Sequence, residues 1–282
     1  MSNVAVRRKD RRKWGLTAIG IVLVAIFIFP LYWMVTTSVK SEGELFTNPP
    51  TWFPTQIDLT PYIDAVFGNP QMMTAIGNSA IISIGSTILT VVLAAPAAYG
   101  FARLKLRWSA LLLLPFLLAQ LLPTINLALP LYVLFSQVGL INSYQGLIIA
   151  NTVLNLPFAV IVLRPFYISI PKEMEEAASI DGANRFQTFM RIILPVVRPG
   201  IVTVSAFAFV MTWGEFTIGL TLATVPAVQP VTVTLNSFIG QYGTDWSSLM
   251  AASTVVAIPI VVLFVVFQRF ITGGLSAGSM KD

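Results

Sequence analysis

The sequence predicts an all-α polytopic membrane protein with six transmembrane helices and both termini in the cytoplasm. Three observations carry that prediction: a large excess of apolar over charged residues, long stretches without any charge, and a one-sided distribution of Lys and Arg. Hydrophobic residues make up 56% of the 282 and charged residues 10%, where an ordinary soluble domain carries about a quarter charged. So few charges cannot cover a water-facing surface, so most of the surface must face membrane lipid. There is no cysteine and no histidine. That removes disulfides, thiolate chemistry, the commonest general base and the commonest metal ligands. No catalytic residue and no metal site is expected.

A helical bilayer crossing needs about 20 consecutive apolar residues. Charge is absent from Trp14 to Val39, from Ala65 to Ala102 and from Trp108 to Leu163. The last of these is long enough for two spans, and the polar residues Ser136-Gln137-Val138-Gly139 and Asn142-Ser143-Tyr144-Gln145-Gly146 supply the turn between them. A fifth stretch, from about Pro199 to Ala223, is interrupted only by Glu215, and a sixth runs from Leu249 to about Ile271. The predicted helices are 15–36, 74–101, 109–135, 146–167, 200–223 and 249–271. They give a basic cytoplasmic N-terminus (1–14), a six-helix domain (15–271) and a cytoplasmic tail (272–282).

With six spans, sixteen of the seventeen basic residues fall on one side of the membrane, and Lys40 alone on the other. Lys and Arg concentrate in cytoplasmic loops, so that side is the cytoplasm. The outer side holds Glu42, Glu44, Asp58, Asp64 and Asp245. The run Arg7, Arg8, Lys9, Arg11, Arg12, Lys13 could also suit nucleic acid or lipid headgroups, but fixing topology is the plainer role, and no nucleic-acid partner is expected. The apolar run after it is too long for a cleaved signal and has no small-residue cleavage site.

The inward segment 170–200 is not a simple loop. Pro171 suits the first turn of a helix, and Glu173, Glu175 and Glu176 suit its positive N-terminal end. Gly182 suits the left-handed residue that closes a helix, and Asn184 can cap a second one. Phe186, Phe189, Met190 and Ile193 then recur on one face, and Leu194-Pro195 ends it. Taken alone, this helix-turn-helix could be an interfacial amphipathic hairpin without a partner.

The motifs in it are more specific. Glu176-Ala177-Ala178, Asp181-Gly182-Ala183, Ile193-Leu194-Pro195 and Pro199-Gly200 resemble the EAA loop of binding-protein-dependent ABC importer permeases, in the carbohydrate branch that includes the maltose-type second permease. The resemblance extends along the chain through Thr37-Ser38-Val39-Lys40, Asn78-Ser79, Ala97-Ala98-Tyr99, Phe101-Ala102-Arg103-Leu104, Pro130-Leu131-Tyr132, Gly139-Leu140, Asn155-Leu156-Pro157-Phe158, Gly274-Leu275-Ser276-Ala277-Gly278 and Lys281. It implies a type I ABC importer transmembrane domain in the bacterial inner membrane. It also implies a sugar-import role beside a second permease subunit, two ATP-binding subunits and an extracytoplasmic sugar-binding protein. Glu176, Ala177, Ala178, Asp181, Gly182 and Ala183 would couple to the ATPase.

No phosphate-binding Gly-x-x-x-x-Gly-Lys-Ser/Thr sequence occurs, and none of the six lysines follows a glycine. This chain is therefore expected to bind no cofactor, with ATP and Mg²⁺ used by the partner ATPase.

Glu215 is the ionisable residue inside a predicted span, where an acid costs about 2.5–3.5 kcal/mol at helix centre and must face protein or water. Its surroundings, Thr212-Trp213-Gly214-Glu215-Phe216, resemble the family's tryptophan-asparagine-acidic-aromatic segment, with Gly214 standing where asparagine is frequent. One reading has Glu215 bonding sugar hydroxyls in the pathway, with Trp213 or Phe216 on a sugar face. The other makes it a contact between subunits or a residue near the outer interface. Prolines 96, 115, 123, 130, 157 and 259 are ordinary in membrane helices. The outer segments Lys40–Met73 and Val225–Ser248 suit contact with partners. A permease for a non-sugar solute and a self-powered secondary transporter are the competing classes. The second fits poorly, because such proteins usually carry several intramembrane ionisable residues and an internal repeat.

Overall fold

The computed structural model describes residues 2–103, 109–240 and 243–279. Leu104, Trp108 and Lys281, named in the sequence reading, lie outside them, as do Lys105 and Arg107 of the basic residues counted there. The described residues are mainly helical, with an irregular segment over 46–59 and a short antiparallel ladder of β1 (Ile239–Gly240) and β2 (Gly243–Thr244).

The long helix α1 (Ser2–Thr37) is followed by the short α2 (Glu42–Leu45) and a wide π turn at Tyr62–Phe67. Next come α3 (Pro70–Arg103), α4 (Ser109–Ala119), α5 (Thr124–Gln137) and α6 (Tyr144–Ile168). The segment 170–197 forms α7 (Glu173–Ile180), α8 (Arg185–Thr188), a π turn at Phe189–Ile193 and α9 (Leu194–Val196). It leads into α10 (Arg198–Trp213), α11 (Thr217–Leu222), α12 (Val231–Leu235) and α13 (Trp246–Ser279).

Among the described residues four helices are long and apolar enough to cross a membrane: Trp14–Thr37, Pro70–Arg103, Tyr144–Ile168 and Trp246–Gln268. Two bent pairs bring the number to six if each is one span, namely Leu111–Ala119 with Thr124–Gln137 and Arg185–Val196 with Arg198–Trp213.

Two predicted spans differ from expectation. Helix 109–135 is broken between α4 and α5, whose axes meet at 98°. Pro123 sits at the break as the residue before α5, with extended backbone (ψ 131°). Proline disfavours the α conformation in the residue before it and cannot donate to the preceding turn. Prolines 96, 115, 130, 157 and 259, by contrast, lie inside continuous helices. The predicted helix 200–223 also ends early, at Trp213, and resumes at Thr217. The bend that precedes it falls at Val197 (76°), two residues beyond the Leu194-Pro195 stop.

The chain divides into two compact units. The first comprises Met1–Asn69 with Phe238–Val255. In it the apolar residues of α1 between Leu16 and Leu31 are exposed, as a lipid-facing helix requires. The end of α1 runs into a buried polar knot. Ser38 Oγ donates to Val35 O (2.7 Å) and shares a 2.6 Å hydrogen bond with the Tyr62 hydroxyl. Lys40 is 2% exposed, donates to Thr51 O at 2.5 Å and lies 4.8 Å from the Trp33 ring centroid. The Glu44 carboxylate accepts from Thr51 Oγ1 (2.7 Å), Thr55 N (3.0 Å) and Thr55 Oγ1 (3.1 Å). These bonds, the Thr51 hydroxyl foremost, hold the Glu44 carboxyl below the usual carboxylate range.

The second unit, Pro70–Ser237 with Val256–Asp282, is built on α3, which packs chiefly against α6 and then α10. Lipid gives apolar helices no drive to associate, so close packing of small residues and polar ties must hold them. Ala94, Ala95, Ala98 and Ala159 lie at the centre of the seam, with Val160, Leu163 and Val204. Gly200 lies so close to the Phe166 ring that a Cβ there would stand 2.7 Å from its Cγ. The polar ties span the sequence. Asn78 donates to Ala227 O (3.1 Å) and Gln229 O (2.9 Å) and accepts from the Tyr144 hydroxyl (2.6 Å). Asn155 Nδ2 donates to Thr212 Oγ1 at 2.9 Å.

Candidate functional site

Two places in the second unit bring functional side chains together. The first is the hairpin of α7 and α8. Helix α7 closes on Gly182, whose φ of 83° is left-handed. Gly182 N bonds Ser179 O (3.1 Å) and Ala183 N bonds Ala178 O (2.9 Å), so the carbonyls at the helix end are satisfied. Asn184 then starts α8 with a reciprocal cap: its Oδ1 accepts from Gln187 N (2.9 Å), and Gln187 Oε1 accepts from Asn184 N (3.0 Å).

Glu176, Ala177, Asp181 and Gly182 are exposed, Ala183 is half-buried, and Ala178 is buried against the body of the unit. The expected single apolar face of the second helix is split. Ile193 is buried and Phe189 packs on the core, whereas Phe186 (71% exposed) and Met190 face outward. The π turn at Phe189–Ile193 interrupts the 3.6-residue period on which that expectation rested. The hairpin therefore presents Phe186, Met190 and Ile180 beside its carboxylates.

Three residues that the motif reading gave no role anchor the hairpin. Glu175 meets Arg103 as an ion pair (Oε1 to Nε, 2.5 Å) and accepts from the Tyr99 hydroxyl at Oε2 (2.9 Å). Arg103 also donates to Ile170 O (2.7 Å). The signal was present in the resemblance of Ala97-Ala98-Tyr99 and Phe101-Ala102-Arg103-Leu104, but no sequence spacing relates them to Glu175.

The second place is a cavity of about 310 Å³ where the bent pair α4–α5 meets α6 and α10. Gln120, Asn151, Asn155 and Glu215 give it polar groups, and Phe158 and Phe207 give it aromatic faces. Those two rings stack at 3.9 Å between centroids, inclined by 21°. The asparagines and Gln120 were legible only as uncharged polar residues inside apolar stretches, the kind of residue that marks a pathway in a membrane protein.

The three candidates at the end of α10 separate. Glu215 lines the cavity, but in a break of the helix rather than within it. Its carboxylate accepts from Ile218 N (2.9 and 2.8 Å) and Gly219 N (3.0 Å), which satisfies free N–H groups at the start of α11. Trp213 is 3% exposed, stacks on Phe209 and donates from Nε1 to Val256 O (3.0 Å). Phe216 is partly exposed. Neither aromatic is among the cavity-lining residues.

This architecture agrees with known proteins. A family model described as the binding-protein-dependent transport system inner membrane component matches residues 90–276. The sulfoquinovosyl glycerol transport system permease protein SmoH of Agrobacterium fabrum is 35% identical over 260 residues, covering 92% of this chain and 91% of that one. The diacetylchitobiose uptake system permease protein DasC of Streptomyces coelicolor is 33% identical over 262 residues, covering 93% and 95%. Among solved structures, a bacterial ABC transporter involved in the import of the acidic polysaccharide alginate has the same fold. Its TM-score is 0.78 at 18% identity, over 93% of this chain and 97% of that one. The chain belongs to the binding-protein-dependent transport system inner membrane components, as a multi-pass ABC transporter permease.

Proposed function

We propose that this chain is one of two permease subunits of an ATP-driven sugar importer. The hairpin formed by α7 and α8 seats an ATP-binding subunit, which supplies ATP and Mg²⁺ chemistry. Glu176, Ala177, Ala178, Asp181, Gly182 and Ala183 form its contact surface. An extracytoplasmic binding protein delivers the sugar, a reading that the family's description as binding-protein-dependent supports.

The observation that carries the choice of solute is the cavity. Asn151 Nδ2 donates to Leu147 O (2.9 Å), Asn155 Nδ2 to Thr212 Oγ1 (2.9 Å) and Gln120 Nε2 to Leu154 O (3.4 Å). Each amide carbonyl oxygen is then left to accept from a solute hydroxyl. The Phe158–Phe207 pair offers a flat apolar face of the kind a sugar ring covers, and ligand sites characteristically combine such faces with a few placed polar groups. Relatives whose names specify glycosides, sulfoquinovosyl glycerol and diacetylchitobiose, support the same choice. Glu215 lines the cavity directly while its carboxylate holds the start of α11, and Trp213 fastens the end of α10 to the carbonyl of Val256.

The test is uptake of labelled mono- and disaccharide glycosides by cells carrying or lacking this chain with its partner subunits. Chain-dependent uptake that ends when ATP is depleted supports the proposal. Uptake that follows an ion gradient instead would replace it with a secondary transporter, and dependence confined to a non-sugar solute would replace the sugar.

A further inference from the structure

The cytoplasmic end of α3 holds the hairpin through charged and polar contacts rather than by apolar packing alone. Arg103 and Glu175 are 72 positions apart in the sequence, yet their side chains meet at 2.5 Å and are only 10% and 22% exposed. Arg103 Nε and Glu175 Oε1 are the closest atoms of this ion pair. The directional bonds lie on either side of it, from the Tyr99 hydroxyl to Glu175 Oε2 and from Arg103 to Ile170 O. One guanidinium thus touches both the residue that precedes α7 by three positions and the first turn of α7 itself. Tyr99 and Arg103 are four apart on α3, so they form one face of one rigid helix. The Tyr99 ring also packs on Tyr167 (5.6 Å) and Phe189 (5.1 Å), one from α6 and the other from the turn after α8.

The same α3 carries Ser86, which accepts from Thr212 Oγ1 (3.3 Å) beside the cavity. Thr212 is in turn the acceptor for Asn155, which lines that cavity. Helix α3 therefore runs without interruption from the hairpin to the cavity wall.

We propose that Arg103, with Tyr99, is a positioning residue for transport: it locks α7 to α3, so that displacement of the hairpin by the ATP-binding subunit is delivered along α3 to the cavity. This inference rests on the function proposed above. Without the lock, the hairpin would still seat the ATP-binding subunit, through Glu176, Asp181 and the exposed apolar side chains. Its movement would then be absorbed at the α6–α7 junction instead of reaching α3. The lock forms the floor of a cleft of about 340 Å³ that also includes Glu176, Arg185 and Thr188, so it lies directly beneath the surface assigned to the partner.

The experiment uses the full transporter in proteoliposomes, with uptake and ATP hydrolysis measured in the same sample. Arg103→Glu and Glu175→Arg should each lower solute moved per ATP hydrolysed by about tenfold, within the range by which residues along a coupling route change coupling. Hydrolysis itself should persist. The double exchange Arg103→Glu with Glu175→Arg restores an opposite-charge pair and should recover most of the ratio. Tyr99→Phe, which removes one hydroxyl, covers the case in which the charge reversals fail to assemble, and should lower the ratio by about twofold to threefold. An unchanged ratio in assembled single variants, or a double exchange no better than the singles, overturns the proposal. So does an unchanged ratio in Tyr99→Phe if neither reversal assembles. Absence of ATP-driven uptake in the unmodified complex would instead overturn the function on which it rests.

Discussion

The carboxylate of Glu215 accepts the backbone N–H of Gly219 at 3.0 Å, together with that of Ile218, and so closes the break between α10 and α11 with a charge at a helix start. An acid in an apolar stretch thus has a structural partner within four residues.

Glu215→Ala removes the acceptor and leaves two N–H groups without it, a loss of about 1–3 kcal/mol for a buried group. The purified complex should melt several degrees lower, and uptake should fall with it. Glu215→Gln keeps one strong acceptor and should retain most of both. Thermal melting followed alongside uptake checks the pair. Equal behaviour of Gln and Ala would show that the charge itself is required.

Gly182 has a left-handed backbone but open space where a side chain would go. Within this chain, conformation therefore decides what is tolerated. Gly182→Asn should be mild, because asparagine visits this region readily. Gly182→Val should cost about 1–3 kcal/mol locally and reduce the ATP-binding subunit recovered with the permease. Copurification from detergent reads the difference, with membrane insertion unchanged in both.

Gly200 presents the opposite case, with an ordinary backbone and no space. Gly200→Ala should destabilise the second unit by about 1–3 kcal/mol through overpacking against Phe166. Phe166→Leu in the same chain should restore part of that loss. A double-mutant cycle on thermal stability measures the coupling between the two positions.

Glu44 lies in α2 with its carboxyl held below the usual value of 4.5 by the hydroxyl and N–H donors around it. A group whose folded value is lower than its unfolded one stabilises above the unfolded value, and that stabilisation is lost as pH falls through the folded value. The segment between Ser38 and Tyr62 should therefore resist protease equally from neutral pH down to about 5 and become susceptible only below about 4.5. Glu44→Gln should open the segment already at neutral pH and remove the acid transition.

Much of this was legible in the sequence for specific reasons. The uncharged runs around Ile21, Val91, Val153 and Val262 could only be membrane helices. Gly182 and Asn184 announced a helix end and a helix start because those functions depend on one residue each. The break at Leu121-Leu122-Pro123 was not legible, because prolines at 115 and 130 in the same apolar stretch leave their helices continuous. Trp213 looked like a sugar platform, yet its indole N–H finds the carbonyl of Val256, a pairing set entirely by tertiary structure. The cavity amides at 120, 151 and 155 come from two separate segments, and Phe207 from a third. Their convergence depends on the 98° bend, which hydropathy does not register.

The bend has a consequence for the life of the protein in the cell. At it, Leu121 N and Leu122 N bond one turn back to Leu118 O and Ala119 O, and Leu121 itself is 77% exposed. Hydrocarbon offers no hydrogen bonds to the neighbouring groups of a non-helical stretch, so such backbone persists at membrane depth only when covered by protein or facing water. If the second permease subunit proposed above covers this elbow, a chain synthesised in excess over that subunit would hold it against lipid and become a substrate for membrane quality-control proteases. Its cellular half-life should then rise with the dose of the companion gene, and degradation of orphans would trim the excess.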